Sequence, residues 1–148
     1  QDLNGEWTLL GSATWFGWND FERIETRNVL GGPIGSIEQN YQSTWAYALG
    51  LEWEMNDTWT WRAGYQYDET PTTDEYRTSR TPDGDRQWFS LGGTYTLDDN
   101  WSFDFAGTYI DIADEEIDVT RNVLSNAQVS ADTEGHVAIV SLGLNYKF

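Results

Sequence analysis

Glu52, Arg62 and Asp104 are the charges whose neighbours suggest chemistry, because each falls within a run of alternating aromatic and small residues. The Arg62 guanidinium could receive a ligand carboxylate through its planar fork of donors. The simpler reading pairs it with Glu52, so that two interior charges satisfy one another and stiffen a wall. Asp83 and Asp85 flank Gly84 and precede Arg86. Two carboxylates fall far short of the ligand run of a calcium loop, so a turn in which Arg86 bridges the aspartates is expected instead. Asp114, Glu115, Glu116 and Asp118 read as a solvated acidic patch. His136 is the sole histidine and no cysteine exists, so zinc chemistry is not expected. No Gly-x-Ser-x-Gly, phosphate loop or nucleophile with an evident base is present, and no enzyme, cofactor or metal is read from the chain.

The 148 residues suffice for one domain, 1–148, without a disulfide framework. Eight basic against 25 acidic side chains give a net charge of −17. Such an excess argues against nucleic-acid binding, which needs cations on phosphates, and fits a salty medium, marine or halophilic. No apolar run is long enough for a membrane helix, a fact that leaves membrane strands open. No charged-then-apolar leader starts at Gln1, as expected of a mature, processed or partial chain. Aromatics reach 16% with nine Trp, far from the composition of a disordered acidic polymer.

The elements that must position these charges are strands. From Thr44 to Met55, Trp45, Tyr47, Leu49, Leu51 and Trp53 alternate with Thr44, Ala46, Ala48, Gly50 and Glu52. After Asn56-Asp57-Thr58 the alternation resumes with Trp59, Trp61, Ala63, Tyr65 and Tyr67 against Thr60, Arg62, Gly64 and Gln66. Matching the two apolar faces requires a three-residue turn at 56–58, which sets Trp53 opposite Trp61, Tyr47 opposite Tyr67 and Glu52 opposite Arg62. A second hairpin turns at Asp98-Asp99-Asn100, with Leu97 opposite Trp101 and Thr94 opposite Asp104. A first strand spans Glu6 to Asp20, with Phe21 to Asn28 still extended. A last strand shows Ala138, Val140, Leu142, Leu144, Tyr146 and Phe148 on one face. Three long connections are expected, about 21–42, 69–86 and 112–135, the last with Ile117 to Val119 able to extend its strands.

The six strands therefore alternate long and short connections. Bacterial outer-membrane barrels sort their connections in that way, short periplasmic turns against long outer loops, whereas nothing forces a soluble sandwich to do so. Trp and Tyr cluster toward strand ends, as in interfacial girdles. The terminal run Val140, Leu142, Leu144, Tyr146 and Phe148 resembles the C-terminal signal read by the barrel-assembly machinery. The fold class is all-β, an antiparallel up-and-down membrane β-barrel. The aromatic face is turned to lipid, and Glu52, Arg62 and Asp104 point to the lumen.

Several stretches resemble one family. They are Gly11-Ser12-Ala13-Thr14-Trp15 with Trp18 and Phe21, Tyr47-Ala48-Leu49-Gly50, and Trp59-Thr60-Trp61-Arg62-Ala63-Gly64-Tyr65. Asp68-Glu69-Thr70-Pro71, Thr81-Pro82-Asp83-Gly84-Asp85-Arg86, Trp88 with Ser90-Leu91-Gly92, and Ser141 to Phe148 agree with it. Together they are similar to the C-terminal portion of the FadL-type outer-membrane transporters of long-chain fatty acids and other hydrophobic compounds. The resemblance implies a larger barrel plugged by an N-terminal hatch, in the outer membrane of a Gram-negative bacterium, taking hydrophobic small molecules from outside.

This chain matches only about the last six strands, and about eight are the practical minimum for closure. A missing N-terminal part, or further copies, would complete the wall amid outer-membrane lipid. Expected function is passive uptake of hydrophobic molecules past small and polar lumen groups, with Trp88 offering an apolar surface. The alternative is a structural β-protein that assembles edge to edge into an oligomer or filament without transport.

Overall fold

The short connections are where local chemistry dictates geometry most directly. Asn56 Oδ1 accepts the backbone N–H groups of Thr58 and Trp59 at 2.9 Å each. Asp98 Oδ1 does the same for Asn100 and Trp101, again at 2.9 Å. Each Asx side chain thus closes its own turn. The flanking strands then zip from Met55 N to Trp59 O at 3.0 Å and from Leu97 N to Trp101 O at 2.9 Å.

The computed structural model describes residues 1, 3, 5–78, 82–122 and 126–148, and for 118–122 and 126–129 the backbone alone. Its strands are β1 (Trp7–Phe16), β2 (Arg23–Arg27), β3 (Pro33–Glu38), β4 (Thr44–Glu54), β5 (Trp59–Asp68), β6 (Arg86–Thr96), β7 (Trp101–Asn122) and β8 (Asn126–Tyr146). Six of them form one antiparallel sheet in the order β1-β4-β5-β6-β7-β8. β2 and β3 form a separate hairpin inserted between β1 and β4. The sheet is therefore an up-and-down meander with β1 and β8 as its two edges, a section of barrel wall that does not close on itself.

The expected registers are present: Glu52 lies opposite Arg62, Trp53 opposite Trp61, Tyr47 opposite Tyr67 and Thr94 opposite Asp104. Three boundaries differ. The first strand stops at Phe16 and a 3-10 turn, Trp18–Asp20, follows, so the extended reading to Asp20 ran four residues too far. The connection at 21–42 carries the β2–β3 hairpin.

The expected loop at 112–135 is largely strand. β7 and β8 run 22 and 21 residues and pair out to Asn122 and Asn126. A register shift between Ile112 and Glu115 explains the miss. The bulge swaps the alternation, so that Glu115 and Ile117 take the face held below by Ile110 and Ile112, and a strict period of two no longer detects the strand.

β1, β4, β5 and β6 are 10, 11, 10 and 11 residues long, about 35 Å each and the length of a tilted membrane strand. β7 and β8 project beyond that height.

Register assigns two faces to the whole sheet. One carries Trp15, Trp45, Leu49, Leu91, Phe103 and Leu142, all exposed, and no second sheet covers it among the described residues. A sandwich would bury that face; an outer-membrane wall turns it to lipid. The other face carries Thr8, Ser12, Glu52, Arg62, Ser90, Thr94, Asp104, Ser141 and Asn145. Among the described residues the buried side chains of this polar face lie at its long-connection end. There Thr44, Ala46, Ile110 and Ile117 lie covered, together with Thr70, Thr72 and Arg77 from the connection after β5.

Candidate functional site

The polar face is organised by a ladder of side chains that crosses five strands near the short-turn end. Arg62 Nε donates to Glu52 Oε2 at 2.6 Å across the β4–β5 pair. Its Nη1 donates to Thr94 Oγ1 on β6 at 2.7 Å. Thr94 Oγ1 donates to Asp104 Oδ1 on β7 at 2.7 Å. Asn145 Nδ2 on β8 donates to Asp104 Oδ2 at 2.6 Å. Thr8 on β1 faces Glu52, which brings the sixth strand to the end of the row.

Each step joins register partners or their diagonal neighbours, the pairs a pleated sheet brings within reach. The ladder holds two carboxylates and one guanidinium, so it is net anionic, and its one cation is already engaged on two sides. Such a row stiffens and hydrates a wall, with the Arg62 Nε and Nη1 donors engaged by Glu52 and Thr94. Arg62 and Glu52 have side-chain exposures of 49% and 26%, and an exposed ion pair contributes at most about 1 kcal/mol. Arg62→Ala is therefore expected to lower stability by less than about 1 kcal/mol in urea unfolding of the detergent-folded protein.

Above the ladder lies a groove of about 650 Å³, bordered by Arg62, Thr94 and Asp104 and floored by Gly64, Ser90, Gly92 and Ala106. Ser90 and Thr108 close a hydroxyl contact of 3.0 Å on the same face. Higher again stands Trp88, between Gln66 and Ile110 in register, half-buried, with its Nε1 buried and without an acceptor among the described residues. Trp88 and the ladder thus share one face but sit at different heights.

The Asp83-Gly84-Asp85-Arg86 turn satisfies itself, though with different partners from those expected. Arg86 bridges Asp83 and Asp68, the latter at 3.5 Å. Asp85 instead accepts the Tyr67 hydroxyl and the Thr70 N–H, the second at 2.8 Å. Asp83 accepts Thr70 Oγ1 at 2.9 Å. With every carboxylate claimed by a protein donor, the turn fastens the connection to the rim of β5 and β6. In the acidic patch, Glu115 turns inward while Asp114 and Glu116 are exposed; the side chain of Asp118 lies outside the described residues. His136 faces Asp111 and stacks on Tyr109 with centroids 6.1 Å apart.

Val140, Leu142, Leu144, Tyr146 and Phe148 lie exposed on the apolar side of β8 and just beyond it. The Trp101 and Tyr146 rings meet at a tilt of 48° with centroids 4.6 Å apart, and Asn100 Nδ2 donates to Lys147 O at 2.8 Å, so residues 146–147 are pinned to the short turn.

Sequence reasoning missed Arg77 and Asn145. Arg77 is only 2% exposed. The available signal was scarcity: in a chain of 25 acidic and eight basic residues, a loop cation is bound to be claimed.

Comparison with known proteins agrees with this geometry. The family model described as outer membrane protein transport protein (OMPP1/FadL/TodX) matches residues 1–148. A long-chain fatty acid transport protein of Escherichia coli O6:H1 is 25% identical over 97% of this chain and 31% of its own length. Outer membrane protein P1 of Haemophilus influenzae is 30% identical over 88% of this chain and 30% of its own length. The crystal structure of a Pseudomonas aeruginosa FadL homologue superposes with a TM-score of 0.90 at 31% identity, covering 98% of this chain and 33% of that one. The chain thus spans about a third of the relatives it matches.

Proposed function

We propose, from the premise that this chain belongs to the outer membrane protein transport protein family (OMPP1/FadL/TodX), that it supplies six strands of wall for passive uptake of hydrophobic molecules. The observation that supports this reading is the partition of one sheet into an exposed aromatic and aliphatic face and a hydrated, small-residue face, kept in register across all six strands. In the outer membrane the first face meets lipid and the second lines the conduit. Long-chain fatty acids or hydrocarbons are the ligand class, in line with the activity named for the Escherichia coli relative. Glycine, alanine and serine at Gly64, Gly92, Ala106 and Ser141 leave width for an acyl chain, and Trp88 gives it an apolar surface at the upper end.

Edges β1 and β8 must be paired in the bilayer, because each unsatisfied backbone group in hydrocarbon costs several kcal/mol. Further strands of a longer protein, or further copies of this chain, meet them. The Val140 to Phe148 face serves the assembly machinery during insertion. Those same edges support the second reading, edge-to-edge assembly into an oligomer without transport.

Proteoliposome uptake separates the two. The detergent-extracted protein is expected to accelerate entry of a long-chain fatty acid over empty vesicles. A water-soluble assembly that needs no detergent, or folded protein with no acceleration, would overturn the conduit. Arg62→Ala is expected to retain uptake, since its guanidinium is spent on Glu52 and Thr94; loss of uptake with normal folding would reassign Arg62 to the ligand carboxylate.

A further inference from the structure

We propose that Arg77 is a latch that holds residues 69–78 and 82–85 as a roof over the outer mouth of the polar face, and that its release opens that mouth. The inference rests on the conduit reading for its meaning, though not for its test. The roof is visible in the burial pattern. On the polar face, Thr44 is 1% exposed and Ile117 is 2% exposed, whereas the Arg62 side chain farther down is 49% exposed. Among the described residues the connection after β5 supplies three side chains of comparable burial, Thr70, Thr72 and Arg77, and the connection before β4 supplies one, Gln39.

One side of the roof is fastened to the start of β4. Trp45 N donates to Glu69 Oε2 at 2.8 Å and Gln42 N to Pro71 O at 2.9 Å. The opposite side is fastened to β7, and Arg77 is the side chain that does it. Its Nη1 lies 3.2 Å from Glu115 and 2.6 Å from Asp74, while Nε donates to Asp83 O at 2.9 Å. Gly84 packs alongside so closely that a Cβ there would lie 2.6 Å from Ala113 O and 2.9 Å from Glu115 Cγ. Ala113 N completes the seam to Asp85 O at 2.8 Å.

The arrangement accounts for the unusual length of β7 and β8. A strand ending at the height of its neighbours would stop near Ile112, the partner of Arg86. The projecting hairpin acts as a post beside the mouth, and the bulge after Ile112 is what turns Glu115 inward to receive the latch.

A buried guanidinium is stable only while its charge is paired and its donors are occupied. Removing either Arg77 or the Glu115 charge therefore penalises the closed roof specifically. Asp74, whose side chain is 88% exposed, is a solvent-side contact and contributes little.

The test uses the absence of native cysteine. Thr44→Cys places a reporter on the wall and Thr72→Cys one on the roof; both hydroxyls are buried without a hydrogen-bond partner among the described residues, so the near-isosteric thiol forfeits little. Labelling is followed with a membrane-impermeant maleimide added outside, on protein whose folding is verified by its resistance to SDS at room temperature.

Adding Arg77→Ala to either reporter is expected to raise the labelling rate on the order of a hundredfold. Glu115→Gln, which keeps the size and an acceptor, is expected to raise it less, and it serves alone if Arg77→Ala does not assemble. Asp74→Asn is expected to leave it unchanged. Unchanged labelling in the folded Arg77 and Glu115 variants would overturn the latch. Fatty-acid uptake by the same samples is read separately: faster labelling with faster uptake supports a gated mouth, and faster labelling without uptake in any variant, the parent included, keeps the latch and removes the conduit.

Discussion

A Leu49→Arg variant is expected to lose about 2–4 kcal/mol of folding free energy in lipid, enough to prevent accumulation of assembled protein. Leu49 sits midway along β4, between Gly11 of β1 and Tyr65 of β5 on the apolar face, and is 63% exposed. Its exposure is what makes the prediction diagnostic. In a soluble protein an exposed leucine accepts a charge almost freely, because water solvates the guanidinium. At mid-bilayer the same charge must leave water or drag the headgroups inward.

The neighbouring residue gives the control. Ala48 points to the polar face, opposite Ser12 and Gln66, so Ala48→Arg is expected to assemble at close to parental yield. Assembled protein in outer-membrane fractions and urea unfolding after refolding into lipid check the pair. Tolerance at Leu49 together with failure at Ala48 would invert the two faces.

Gly93→Val is expected to destabilise by about 1–3 kcal/mol through overpacking. Trp61, Gly93 and Phe105 are successive register partners on β5, β6 and β7. With nothing on the middle residue, the outer two rings lean toward one another and meet edge to face, their centroids 5.5 Å apart at 77°. Trp59 joins the cluster, stacked on Trp61 at 5.7 Å.

A Cβ at Gly93 would lie 2.8 Å from Phe105 Cζ and 2.9 Å from Thr60 O. The ring can rotate away; the backbone oxygen cannot. Phe105→Ala in the Gly93→Val background should therefore recover part of the loss and not all of it. Unfolding midpoints followed by tryptophan fluorescence read both variants, and a Gly93→Val midpoint equal to the parent would show that the aromatic contact across the glycine contributes nothing.

Most of the wall was legible along the chain because its code is local. Alternation at period two assigns faces, and an Asx residue at the head of each short turn sets the register without reference to anything distant. From those alone the pairings of Glu52 with Arg62 and of Thr94 with Asp104 follow, and the structure has them. Reading failed where the alternation was interrupted. The bulge between Ile112 and Glu115 exchanged the faces and concealed ten residues of strand on each side of the hairpin tip. The 3-10 turn at Trp18–Asp20 reads as strand along the chain because Trp18 continues the aromatic run of Trp15 and Phe16, residues of high strand propensity.

By itself, then, the sequence determined the six wall strands up to the bulge, two of the hairpin registers and the sorting of polar from apolar faces, since each depends on residues a few positions apart. Tertiary structure decided what spans the strands. Arg62 reaches diagonally to Thr94 as well as across to Glu52, and Arg86 could have bridged Asp85 or Asp68. The choice depended on which oxygens the twist and diagonal stagger of neighbouring strands brought within 3.5 Å or less. Arg77 depended on it entirely. Its partner Glu115 lies 38 residues away on a strand whose facing was reversed by a bulge, and no periodicity encodes a contact made by a loop folding back across a sheet.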